Sequence, residues 1–119
     1  MRATNLAPTA ILSHATMTQL LTEDQLATAL SSLPKWQREG AEITRTYAFS
    51  SYLAGINFVS QVAVHAETMN HHPDIFIGWR KVTLRLSTHS RGGLTELDMA
   101  MARQCDETAK STNGIIAQS

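Results

Sequence analysis

Pro73 is the residue that most constrains this chain. Its ring removes a backbone donor and clashes with a preceding helical turn, and it pushes His72 towards an extended conformation. Upstream, Ser50 or Ser51 can cap a helix that runs to about Asn70. Its apolar residues fall on more than one stripe: Tyr52, Ile56, Val59, Ala63 and Ala66 form one, and Phe58, Val62 and Met69 lie beside it. A helix apolar over that much of its circumference is usually buried on two sides. One side is expected to cover a sheet and the other to meet another subunit. Downstream, Ile75 to Trp79 and Val82 to Thr88 read as a hairpin with a tight turn near Arg80 and Lys81. Val82, Leu84 and Leu86 alternate with Thr83, Arg85 and Ser87, the pattern of a sheet with one buried face.

The flanking segments complete the architecture. Thr22-Glu23-Asp24-Gln25 reads as a capping box, Leu26, Leu30 and Leu33 then share one face, and Pro34 ends the segment. Trp36 to Glu39, a turn at Gly40, and Glu42 to Phe49 read as a first hairpin. After Gly92-Gly93, Thr95 can cap a last helix with Leu97, Met101 and Cys105 on one face. The order predicts an α+β domain: a four-stranded antiparallel sheet with three helices on one face. It is expected to span residues 22–110, between a flexible extension (1–21) and a polar tail (111–119) that frays.

Ten basic and ten acidic residues cancel, so no global field would hold nucleic acid or an anionic membrane surface. No apolar stretch is long enough to cross a bilayer. The single cysteine, Cys105, cannot form an intrachain disulfide and suits a reducing, cytoplasmic setting. Residues 1–21 contain one arginine and no acid, a faint likeness to a transit peptide, but one arginine is too little for a targeting signal.

Four of the five histidines, His65, His71, His72 and His89, lie in the second half of the chain. Imidazole is the side chain whose unperturbed pKa lets it exchange protons near neutral pH. His71 and His72 end a helix and His89 ends a strand, so the fold can gather them. Glu67, four residues before His71, is placed to orient that ring. Each residue also has a structural reading. Asp98 completes a second capping box with Thr95, and Trp36, Phe76 and Trp79 taken singly suit a core. No HExxH motif supports a metal site, no nucleophile stands out, and no glycine-rich loop follows a strand to hold a phosphate. Residue reasoning thus reaches a small α+β domain in which a metal-free histidine acid–base site is the expectation.

The run Glu67-Thr-Met-Asn-His71-His72-Pro73-Asp-Ile-Phe, then Lys81-Val82, Ser87-Thr88-His89 and Gly92-Gly93-Leu94-Thr95-x-x-Asp98, resembles the pterin-4a-carbinolamine dehydratase family. Trp36 and the order of elements extend the likeness over nearly the whole domain. The resemblance implies dehydration of a 4a-hydroxytetrahydropterin to quinonoid dihydropterin, without cofactor or metal. It puts the family's active-site histidines on His71, His72 and His89 and its acidic partner on Asp98. On this reading His71 and His89 do acid–base work, His72 holds the pterin, and Asp98 orients His89 and favours its protonated form. Glu67, Pro73, Phe76 and Trp79 complete the substrate-binding set. Where many members carry an aromatic residue, this chain has Ile75, and Phe76 or Trp79 would supply the flat surface. The same fold includes binding proteins, among them carboxysomal RuBisCO assembly factors and transcriptional dimerisation cofactors. A protein client is therefore a second expectation, and a homodimer or homotetramer a third.

Overall fold

The computed structural model describes residues 14–116, so the expectations for 1–13 and 117–119 lie outside the described residues. A short helix α1 (His14–Met17) leads into α2 (Glu23–Ser31), which starts at the predicted Thr22 and Gln25 capping box. Strands β1 (Gln37–Glu39) and β2 (Glu42–Ala48) form the first hairpin. Helix α3 (Tyr52–Met69) is capped by Ser51, whose hydroxyl accepts from the Ala54 N–H. Strands β3 (Asp74–Ile77) and β4 (Lys81–Leu86) follow, then α4 (Glu96–Lys110), capped by Thr95 and Asp98. No helix among the described residues is long and apolar enough to cross a membrane.

The two hairpins join through β2 and β4 into one antiparallel sheet of order β1-β2-β4-β3. Alternation sends Ile43, Tyr47, Val82, Leu84 and Leu86 to the buried face, against Phe58, Val62 and Ala66 of α3 and Met101 and Cys105 of α4. Phe58 sits at the centre, its ring 4.7 Å from Tyr47 and 5.3 Å from Phe49. The outer face carries Thr44, Thr46, Thr83 and Arg85 and stays open to water. The α+β arrangement expected from the pattern is the one observed.

Three expectations are corrected. In α3 the buried stripe is Ala54, Gly55, Phe58, Val62 and Ala66, whereas Tyr52 and Ala63 are exposed. Apolar periodicity marks both a core face and a face left for another surface, and it does not say which is which. The β3–β4 connection is Trp79-Arg80, because Gly78 N–H pairs with the Lys81 carbonyl at 2.7 Å. Trp79 therefore stands at the hairpin tip, 73% exposed, with Arg80 4.4 Å over its ring. The segment after α4 does not fray at once: Ile115 bridges to Phe49, and Gly114 accepts a 2.7 Å bond from the Ser50 N–H. Gly114 makes this return possible, since its φ is +89° and a Cβ there would meet Ala54 at 2.8 Å.

One inward position of β2 is charged. Arg45 pairs with Asp106 at 2.8 Å and lies 4.3 Å over the Tyr47 ring. The same Asp106 Oδ1 also accepts from Trp36 Nε1 at 3.0 Å and from the Tyr47 hydroxyl. Burial first, and then the Asp106 charge, push the Tyr47 phenol above its usual range and the Cys105 thiol up to about 12. Both groups keep their protons in the fold at pH values where the unfolded chain loses them. Their contribution to stability is complete below the ordinary thiol value and is lost as pH rises towards the folded one. The urea midpoint is expected to fall between about pH 9 and about pH 12, and Cys105→Ala to flatten part of that fall. A decline of unchanged slope in the variant would refute the thiol's share.

Candidate active site

Helix α3 ends because Asn70 turns left-handed, at φ 50° and ψ 44°, a conformation Asn tolerates better than most residues. The His71 N–H then bonds back to the Ala66 carbonyl at 3.0 Å. His71 and His72 follow in non-helical backbone before Pro73, and their side chains take different directions. His71 turns inward, 8% exposed, and His72 outward into water. The helical relation of Glu67 to His71 is thereby cancelled. Glu67 Oε2 meets His72 Nε2 at 2.6 Å instead, in an exposed pair. The expectation that Glu67 orients His71 is corrected on that ground: a fourth-residue pairing needs the helix to continue, and it stops at Asn70.

The inward histidine meets Asp98, which is wholly buried. His71 Nε2 lies 2.7 Å from Asp98 Oδ1. The other oxygen, Oδ2, accepts from the Thr88 hydroxyl at 2.8 Å and from the Thr95 N–H at 2.9 Å. A carboxylate only accepts, which assigns the ring proton to Nε2 and leaves Nδ1 facing away from the acid. The hydroxyls can be assigned too. Thr88 spends its one proton on Asp98, so across their 2.7 Å contact Thr95 donates to Thr88. Thr95 in turn accepts from the Leu97 N–H at 3.2 Å. Structural and site roles of Asp98 coexist because its two oxygens are divided between them.

His89 opens a 3-10 turn (His89–Arg91) directly after Thr88, closed by Gly92 with φ +73°. It is exposed, and its ring makes no hydrogen bond among the described residues. The expected partnership of Asp98 with His89 is therefore corrected to one with His71, because Thr88 and Thr95 occupy the remaining oxygen. Pro73 is buried beside the histidines. Phe76 pairs with Thr83 on the outer face, whereas Ile75 pairs with Leu84 and packs against the core. At about 3.3 Å per residue, the strand carries Trp79 to the end of the hairpin remote from His72. The fold thus gathers His71, His72, Glu67, Pro73 and Asp98, and it does not bring Phe76 or Trp79 to them within one chain. The reading of these two aromatics as core is equally set aside, while Trp36 is core at 4% exposure. Outside the group, His65 meets Gln104 at 3.3 Å. The Thr88 hydroxyl is the participant that sequence reasoning missed. A signal existed, since the Thr95–Asp98 capping box fixes one carboxylate oxygen beside the strand end that carries Thr88.

An α+β domain in which one histidine of a helix-end pair meets a buried carboxylate is what the fold and site define. Residues 19–108 match the sequence profile of the family described as pterin 4 alpha carbinolamine dehydratase, and the chain belongs to that family. A Nocardia farcinica protein with the provisional name pterin-4-alpha-carbinolamine dehydratase is 55% identical over 93 residues, covering 78% of this chain and 98% of its own. A Mycobacteroides abscessus relative of the same provisional name is 52% identical, with 73% and 93% covered. Among solved structures, a transcriptional coactivator/pterin dehydratase from Brucella melitensis superposes with a TM-score of 0.73 at 37% identity, over 76% of this chain and 98% of that one. A pterin dehydratase-like protein described as a RuBisCO assembly factor in the alpha-carboxysome superposes at 0.55 and 27% identity, over 65% and 89%.

The threonine bond to a buried carboxylate makes a measurable demand. Thr88→Val keeps the shape but deletes the donor to Asp98, and hydrogen bonds to charged groups contribute about 1.5–3 kcal/mol. Urea unfolding should show Thr88→Val destabilised by roughly 2 kcal/mol, with Thr88→Ser close to the parent. A Thr88→Val variant as stable as the parent, or a larger loss in Thr88→Ser than in Thr88→Val, would refute the hydroxyl's share.

Proposed function

We propose that the protein dehydrates a 4a-hydroxytetrahydropterin to quinonoid dihydropterin, using His71 and His89 as its proton-transfer groups. The observation that supports this most is the His71–Asp98 pair: the buried acid holds Nε2–H at 2.7 Å and leaves Nδ1 without a hydrogen-bond partner among the described residues. The reaction asks for little else. A general acid protonates the 4a hydroxyl, the adjacent ring nitrogen's lone pair expels it as water, and a base removes a ring proton from the resulting cation. Two imidazoles, one held by Asp98 and one exposed, suit those opposite tasks. His72, fixed by Glu67, and the buried Pro73 would hold the ring edge. On this reading the protein works in tetrahydrobiopterin recycling in the cytoplasm, as a lyase.

A coupled assay with an aromatic amino-acid hydroxylase tests the assignment. His71→Ala and His89→Ala should each lower the dehydration rate by about 10²-fold or more, the usual range for loss of an acid–base group. Parental rates in both variants would sink the reading. The exposed Phe76, Ile77 and Trp79 on one hairpin favour a second role, docking a protein client, as the assembly-factor likeness suggests. That reading predicts no turnover by the parent protein.

Assembly follows from α3. Leu53 and Val64, 71% and 64% exposed, lie about three turns apart on one face, away from the buried stripe. A second copy covering that face would give a homodimer or homotetramer. Light scattering at micromolar concentration should report an oligomer, and Leu53→Asp with Val64→Asp should dissociate it. A monomeric parent would refute this.

A further inference from the structure

The donors to Asp98 divide unequally between its two oxygens. Oδ1 meets His71 Nε2 at 2.7 Å, whereas Oδ2 takes both the Thr88 hydroxyl at 2.8 Å and the Thr95 N–H at 2.9 Å. Behind Thr88 the hydroxyls continue: Thr95 Oγ1 lies 2.7 Å from Thr88 Oγ1 and accepts from the Leu97 N–H at 3.2 Å. The protons of this chain all run one way, from the positive end of α4 towards the carboxylate. Thr88, Thr95 and Asp98 are 4%, 0% and 0% exposed, so solvent does not supply these bonds. The Thr88 main chain is held separately, its N–H donating to the Gly93 carbonyl at 2.8 Å where the two residues bridge.

We propose that Thr88 and Thr95 are positioning residues for His71: by filling Oδ2 of Asp98 they reserve Oδ1 for the ring, hold its proton on Nε2 and keep Nδ1 as a proton acceptor. The nitrogen that carries an imidazole proton is set by the bond the ring makes. A donor bonded to a carboxylate favours its charged form, so the threonines also keep Asp98 an acceptor. An acid that took a proton would instead donate it to the ring. In that change the Nε2 proton passes to Oδ1 and one proton enters from solvent at Nδ1. No other charged group forms an ion pair with the His71 ring among the described residues. Glu67 is turned to His72 in an exposed pair, and the His89 ring is exposed without a hydrogen bond. The catalytic weight of this arrangement rests on the dehydratase reading, in which an Nδ1 already protonated cannot remove a proton from the pterin ring.

The test is nitrogen–proton NMR of the His71 ring in the isotopically labelled full chain, at a pH where the parent's ring is uncharged. The parent should show a protonated Nε2 and a bare Nδ1. Asp98→Asn keeps the side chain's shape, and its amide oxygen must still accept from Thr88 and Thr95. Its NH2 group then faces the ring, and the ring proton should move to Nδ1. Thr88→Val should raise the proton affinity of Nδ1 about tenfold, seen as a larger protonated fraction at the same pH, and Thr88→Ser should restore the parent's pattern. Thr46→Val breaks a 2.7 Å hydroxyl contact with Thr83 on the outer face of the sheet and should leave the ring as in the parent. In the hydroxylase-coupled assay, Thr88→Val should lower kcat about tenfold with KM within about twofold, and Thr88→Ser should regain most of kcat. A bare Nδ1 in Asp98→Asn, or a parental ring in Thr88→Val, would overturn the proposal whatever the rates. The expected ring patterns in a parent without turnover would uphold the threonines' role and count against the dehydratase reading alone.

Discussion

The structure turns on a carboxylate with no exposure to solvent. Burying Asp98 unpaired would cost several kcal/mol, so its environment must deliver donors to both oxygens. The donors come from three places: the loop after α3 gives His71, the segment after β4 gives Thr88, and the N-cap of α4 gives Thr95. None of these segments can shift without stranding a charge. The geometry of the histidine is therefore a by-product of keeping an acid satisfied. That is how a small domain holds an imidazole still.

Much of the fold was legible in the chain because it rests on local rules. Capping boxes at Thr22 and Thr95, the alternation of Val82, Leu84 and Leu86, and the stop imposed by Pro73 all act over a few residues. The site was legible as a set of residues, but its pairings were not. Sequence distance suggested Glu67 with His71, the family resemblance suggested Asp98 with His89, and a single left-handed residue at Asn70 changed the first of these. The second failed because Thr88 and Thr95 fill Asp98 Oδ2, which is a matter of tertiary position. Arg45 gave no warning at all. Strand alternation placed it among core positions, and only the contact with Asp106, from a distant helix, explains how a guanidinium is tolerated there.

Helix α4 consequently carries two acids with opposite habits. Asp98 collects a ring, a hydroxyl and a backbone N–H, and every one of its donors belongs to the site or the cap. Asp106 gathers an indole, a phenol and a guanidinium onto one oxygen, and it ties α4 to β2 and to the segment after α2. The first fixes the orientation of a histidine ring and the second holds the layers together.

The left-handed turn at Asn70 also decides which histidine is which. His71 and His72 are neighbours in the chain but face acid and water respectively, so their identities depend on counting residues from the helix end to Pro73. A lineage that gained or lost one residue in this short link would keep both imidazoles and both acids. It would nevertheless offer the wrong ring to Asp98, and composition alone would not betray the change. Length between Met69 and Pro73, rather than the mere presence of two histidines, sets which ring meets Asp98.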